Sequence, residues 1–83
     1  FHMKCEIHHG GNSLNNVANL HVTMAISNCD YYEVFPCSGA NKYALVTDIE
    51  VDSNGLVHAP TGNGLGVEID WDLIDKETIQ IYE

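Results

Sequence analysis

A chain of 83 residues with 45% hydrophobic side chains supports one domain at most, near the lower size at which a single core is self-sufficient. Twelve Asp and Glu against three Lys and Arg leave a formal charge of −9, a field that repels a nucleic-acid backbone or an anionic membrane, so both are excluded as partners. Cys5, Cys29 and Cys37 form no C-x-x-C pair, and no stretch reads as a signal peptide or membrane span, which points to a reducing, cytoplasmic setting.

The apolar run starts at once, at Phe1-His2-Met3-Lys4, as expected of a chain that begins inside a fold. Met3 to His8 reads as a buried strand, because Gly10-Gly11 ends it before helical periodicity begins. From Ser13 to about Ser27, Leu14, Val17, Ala18, His21, Met24 and Ala25 recur at three- and four-residue steps and share one helical face. Asn12 or Ser13 caps this helix, and Asn28 is placed as a left-handed residue at its end. Tyr31 to Phe35, aromatic and β-branched and stopped by Pro36, reads as a second strand. Strand, helix and strand of these lengths predict a parallel βαβ unit over residues 1–35. Two parallel strands leave apolar faces and edges uncovered, so further strands are expected from elsewhere.

Residues 36–83 read as a closing loop, a hairpin and a tail. Ser38-Gly39-Ala40-Asn41 is a loop. The runs Ile49 to Asp52 and Leu56 to His58 flank Ser53-Asn54-Gly55, a strong hairpin signal. Thr61 to Gly66 is a loop, and Trp71 to Ile74 a short helical turn capped by Asp70.

Several motifs fail on their own chemistry. Glu50, Asp52, Asn54 and Gly55 resemble the opening of a calcium loop, but Thr61 stands where the twelfth-position acid is required. Gly62, Gly64 and Gly66 resemble a phosphate cradle, yet the third glycine comes one residue early and Val67-Glu68-Ile69 reads as extended. Cys5, His8, His9 and His21 do not form a zinc set: adjacent strand histidines face opposite ways, and His21 lies more than two turns into the helix, where it serves packing. His2 and His58 have no visible partner and read as surface or structural.

His8 and Glu33 remain. A histidine at a strand end has a plain structural role as a loop cap. Glu33 is harder to dismiss, because an ionised carboxylate in an otherwise apolar strand is costly unless paired or wetted by a site. On neighbouring parallel strands both lie toward one carboxyl-terminal rim, where catalytic groups of α/β barrels collect.

The run from Glu6-Ile7-His8-His9-Gly10-Gly11-Asn12 through Ala18-Asn19-Leu20-His21-Val22, followed by Tyr32-Glu33-Val34, resembles the seventh and eighth barrel strands of the mandelate racemase group of the enolase superfamily. Asp48 to Asp52, Gly55 to Pro60 and Gly64 to Asp70 are similar to that family's closing segment. The resemblance implies an α/β fold: the C-terminal part of a modified (β/α)8 TIM barrel, strands 7 and 8 plus the closing segment, with the remaining barrel and an α+β capping domain outside this chain. It implies a magnesium-dependent enzyme that abstracts the proton next to a carboxylate; enolase-superfamily sites with a Lys or His base and magnesium are a standard example of such chemistry. It matches His8 to the acid/base histidine, with His9 as runner-up, and Glu33 to the glutamate that donates to a substrate carboxylate oxygen, which requires it to be protonated.

The magnesium ligands, the lysine base and the aspartate that orients the histidine belong to earlier strands, so no metal or cofactor ligand is assigned here, and the 83 residues alone are expected to be inactive. The expected partners are a small carboxylate substrate, the rest of the barrel and further copies in a homo-oligomer. A sugar-acid dehydratase is the leading expectation, and a racemase, epimerase or cycloisomerase of a related hydroxy acid is the alternative. A small acidic interaction module whose histidines only pack or cap is the non-enzymatic one.

Overall fold

A computed structural model describes residues 1–34 and 42–83. Phe35, Pro36, Cys37 and residues 38–41, expected as a loop, lie outside the described residues, and with them the predicted end of the second strand.

Among the described residues two helices form, α1 (Ser13–Ala25) and α2 (Trp71–Glu77). Asn12 caps α1: its side-chain oxygen accepts from Asn15 N–H at 3.1 Å, and its carbonyl accepts from Asn16 N–H at 3.1 Å. The helix ends two residues before the expected limit. Ile26 takes the C-cap position with extended backbone (φ −107°, ψ 137°), and Asn28 is not left-handed. Its work is different: the Asn28 side-chain amide donates to the Met3 carbonyl at 3.0 Å, and its carbonyl accepts from Cys5 N–H at 3.0 Å. A residue held from both ends by the first segment has no need of a helix-terminating turn. The second helix is longer than the single turn expected. Asp70 caps it through Leu73 N–H at 3.0 Å, and Lys76 sits in the last turn, where the helix dipole favours a cation.

The segment from Met3 to His8 and the stretch at 31–34 form no β-ladder among the described residues, contrary to the two strands expected. They are nonetheless laced side by side. Met3 and Cys5 bond Asn28, Lys4 pairs with Asp30 at 2.7 Å, Glu6 accepts from the N–H groups of Asp30 and Tyr31, and His8 and His9 meet Glu33. Partner numbers rise together, so the two segments run parallel. Side chains supply most of these bonds, and that is why the pairing carries no strand assignment.

The core is small. Val17 and Leu20 of α1 are buried with Ala44 and Leu45, and Ser13 is fully enclosed. Apolar side chains such as Phe1, Ile79, Ile81 and Tyr82 stand open.

The region after residue 42 is tied down locally. An antiparallel bridge joins Leu45 to Ile69, flanked by Val46 N–H to the Glu68 carbonyl and Asp70 N–H to the Ala44 carbonyl, each at 3.0 Å. Ala44 takes φ +81° there, in a region costing an L-residue about 1–2 kcal/mol. The predicted hairpin forms as the Val51–Val57 bridge, with Gly55 at φ +79°. One Asp52 oxygen accepts from Asn54 and Leu56 N–H at 2.8 and 2.9 Å, and the other accepts from His58 Nε2–H at 2.7 Å. The Leu56 bond first, then His58 and Asn54, hold the Asp52 carboxyl below its ordinary range. His58 therefore has a partner that its sequence neighbourhood did not announce. At Gly66 (φ +76°) a Cβ would fall 2.6 Å from that of Pro60, so the Gly62 to Gly66 stretch is a tight turn built on close backbone approach.

Replacing Leu20 by Ala removes the larger of the two buried α1 anchors, with an expected loss of about 2–5 kcal/mol in urea unfolding. Asn12→Ala, which removes only the cap, is expected to cost about 1 kcal/mol. Equal losses for the two would contradict the small-core description.

Candidate functional site

The site is assembled where the first segment runs into α1 and the 30–33 stretch passes beside it. Glu6 anchors the floor. Its carboxylate accepts from Tyr31 N–H at 2.9 Å, Asp30 N–H at 3.3 Å and the Cys29 thiol at 3.3 Å. The Tyr31 bond chiefly holds the Glu6 carboxyl below its ordinary range, with Cys29 and Asp30 adding to it. Desolvation, then the neighbouring Glu6, pushes the Cys29 thiol up, so it remains an S–H donor.

His8 and His9 separate as adjacent residues of an extended segment do, onto opposite faces. The His8 side chain is 90% exposed, and its Nδ1 lies 3.0 Å from Glu33 Oε2, whose own side chain is 43% exposed. Nδ1–H donates to that oxygen, leaving Nε2 with no partner among the described residues. At this exposure the pair contributes little to stability. Its significance lies in setting the ring's tautomer and aim.

His9 is only 8% exposed. Its Nε2–H donates to the Glu33 main-chain carbonyl at 2.9 Å, and its Nδ1 lies 3.2 Å from the Asn16 side-chain amide oxygen. A half-turn of that amide brings an N–H to Nδ1 and satisfies the neutral ring. The ring stacks on Tyr32 with centroids 5.1 Å apart and planes 27° from parallel. Tyr32 O–H in turn donates to the Asn16 carbonyl at 2.7 Å. Burial first, then the nearby Asp48 charge, pushes Tyr32 up to about 12, so it is a permanent neutral donor. Asp48 also receives the Ser13 hydroxyl, which ties the closing segment to the first turn of α1.

Both sequence-predicted site residues thus come together, His8 on Glu33. His21 packs instead against the closing segment, its Nε2–H donating to the Leu65 carbonyl at 3.0 Å. Tyr32, Asn16, Asp48 and Glu6 escaped sequence reasoning. The one available signal was Asn15-Asn16, a poor helix-forming pair at the start of an otherwise regular helix. Among the described residues no group of three or more His, Cys, Asp or Glu converges as a cation site would require, and Asp52 is committed to its hairpin.

Residues 1–73 match the enolase C-terminal domain-like family. The chain belongs to that family. It is also similar to a crystal structure of a Pseudovibrio sp. protein described as a mandelate racemase/muconate lactonizing enzyme, at 44% identity and a TM-score of 0.86, over 96% of this chain and 21% of that one. The chain thus spans about a fifth of that relative's length. The comparison with curated proteins returns no match. The mandelate racemase resemblance read from the sequence holds, and with it a barrel-type domain of the enolase superfamily as the setting of these elements.

The Glu6 bonds predict acid sensitivity of a definite sign. Because its folded carboxyl lies below the ordinary 4.5, its stabilisation is complete above that pH and is lost as pH falls through the lower folded value. Thermal unfolding of wild type and Glu6→Gln should therefore differ at pH 7 and converge under acid. A gap that stays constant from neutral to strongly acidic pH would contradict the carboxylate's role.

Proposed function

We propose that these residues complete the active site of a magnesium-dependent sugar-acid dehydratase, with His8 as acid/base catalyst and Glu33 as hydrogen-bond donor to a substrate carboxylate oxygen. The observation that carries this reading is the 3.0 Å contact between an exposed His8 ring and Glu33, in a chain of the enolase C-terminal domain-like family.

Each group has a defined proton inventory in this reading. Charged His8 keeps Nδ1–H on Glu33 Oε2 and presents Nε2–H outward. Giving that second proton to a departing hydroxyl leaves neutral His8 in the tautomer that Glu33 already holds. Protonated Glu33 accepts from His8 at one oxygen and donates from the other to the substrate carboxylate, a bond that strengthens as negative charge develops there. The chain offers little positive charge of its own to an anionic substrate: Lys4 is paired with Asp30 and Lys42 with Glu50 at 3.4 Å. Magnesium would supply that charge and acidify the α-proton. The described residues present no cluster to hold the ion, so its ligands are assigned to the rest of the barrel, together with the lysine base, and no step here is routed through it. The same proposal includes a homo-oligomeric, cytoplasmic enzyme.

The Pseudovibrio relative's description favours a second reading, racemisation or cycloisomerisation of a related acid, which shares proton abstraction beside a carboxylate. A panel of hexarates and hexonates with magnesium separates the two: products lighter by one water indicate the dehydratase, and unchanged mass indicates the alternative. In the full-length enzyme His8→Gln is expected to lower kcat by roughly 10²- to 10⁴-fold and Glu33→Gln by about 10²- to 10³-fold. Wild-type turnover in either variant would overturn its assignment, and a parent protein with no turnover at all would favour the non-enzymatic module.

A further inference from the structure

We propose that His9 is the positioning residue of the His8–Glu33 pair, acting through the Glu33 main chain. The role rests on His8 and Glu33 being the reacting pair, and it assigns to the second histidine a function separate from theirs.

The argument begins with what holds Glu33. No ladder fixes the 31–34 stretch among the described residues. Its backbone is held by side chains instead: Glu6 on the N–H of Asp30 and Tyr31, and His9 on the carbonyl of Glu33. The His9 bond is the one that acts at Glu33 itself. Gripping its carbonyl at 2.9 Å sets the peptide plane leaving Glu33, and so restrains the direction in which the carboxylate projects toward His8.

The grip is itself rigidly mounted. The His9 ring is buried, lies against Tyr32, and has its far nitrogen on Asn16 of α1. Tyr32 O–H is anchored on the Asn16 carbonyl, so ring, phenol and helix close a small circuit around one peptide unit. A histidine that merely filled space would need one satisfied nitrogen and apolar walls. Here both nitrogens are engaged, one of them on the main chain of the residue that touches His8. Because His8 and His9 are adjacent, the same backbone segment delivers the catalytic ring to one side of Glu33 and the positioning ring to the other.

Kinetics and crystal structures of the full-length enzyme test this, using the acid turned over in the hexarate and hexonate panel. His9→Leu keeps bulk but deletes the donor, whereas His9→Gln retains an N–H able to reach the Glu33 carbonyl. In folded His9→Leu, kcat is expected to fall about 10- to 100-fold with KM within about threefold, as for displacement of a reacting group by a fraction of an ångström to 1 Å. His9→Gln should recover at least about tenfold of a full 100-fold loss. Its crystal structure should keep the His8–Glu33 contact that His9→Leu lengthens. Wild-type kcat in folded His9→Leu, or an unmoved Glu33 carboxylate in its crystal structure, would overturn the positioning role. If His9→Leu does not fold, His9→Gln decides: a wild-type Glu33 position with high kcat supports the role, and a wild-type position with kcat reduced 100-fold overturns it. Failure of the catalytic assignment is distinguishable, because it shows as wild-type turnover in His8→Gln and leaves the crystallographic comparison at His9 intact.

Discussion

The described structure depends on side chains doing the work of a sheet. Two segments run parallel from Met3 and from Asn28, yet what joins them is mostly carboxylate, amide and imidazole bonded to main chain. A parallel ladder gives evenly spaced bonds between backbones and leaves side chains free for the two faces. Here Glu6 and His9 have turned toward the neighbouring main chain, so the local geometry at Glu33 is set by particular residues. The arrangement concentrates the consequences of mutation on a few positions. It also explains how an exposed pair such as His8 and Glu33 is well oriented while contributing little to stability.

Burial divides the paired histidines. In an extended segment consecutive side chains face opposite ways, so one of two adjacent residues meets the interior when the other meets solvent. The interior position is costly for a polar ring unless its nitrogens are matched, and Asn16 and the Glu33 carbonyl provide the match. The solvent position leaves the His8 ring exposed, with Nδ1 on Glu33. Two residues of identical chemistry thus meet different surroundings on an extended backbone.

The closing segment takes a larger part than a tail would. Ser13 bonds Asp48, His21 bonds the Leu65 carbonyl, and Asp48 adds to the burial that keeps Tyr32 protonated. These contacts tie the closing segment to α1, and Asp48 does so beside Tyr32 and Asn16. The same region contains the left-handed Ala44, whose carbonyl receives Asp70 N–H while its neighbour Leu45 bridges to Ile69. A strained alanine persists because the bonds on either side over-determine it.

The sequence by itself determined the local features whose physics is local. Val17 on the apolar helical face, the Asn12 and Asp70 caps and the Asn-Gly hairpin each follow from periodicity or from a side chain reaching its own neighbours, whereas buried Leu20 lies outside the predicted face and Met24 and Ala25 within it are exposed. His8 and Glu33 were legible as a pair because family-like motifs supplied the long-range neighbourhood that periodicity lacks. Only the tertiary structure decided that the 3–8 and 31–34 segments meet through side chains, that Asn28 is a bridge instead of a left-handed helix end, and that His58 belongs to Asp52. It alone separated a buried, fully bonded His9 from an exposed His8. The reason is distance along the chain: a bond such as His9 to the Glu33 carbonyl spans 24 positions, and no local pattern encodes which carbonyl a ring will find when α1 folds the chain back.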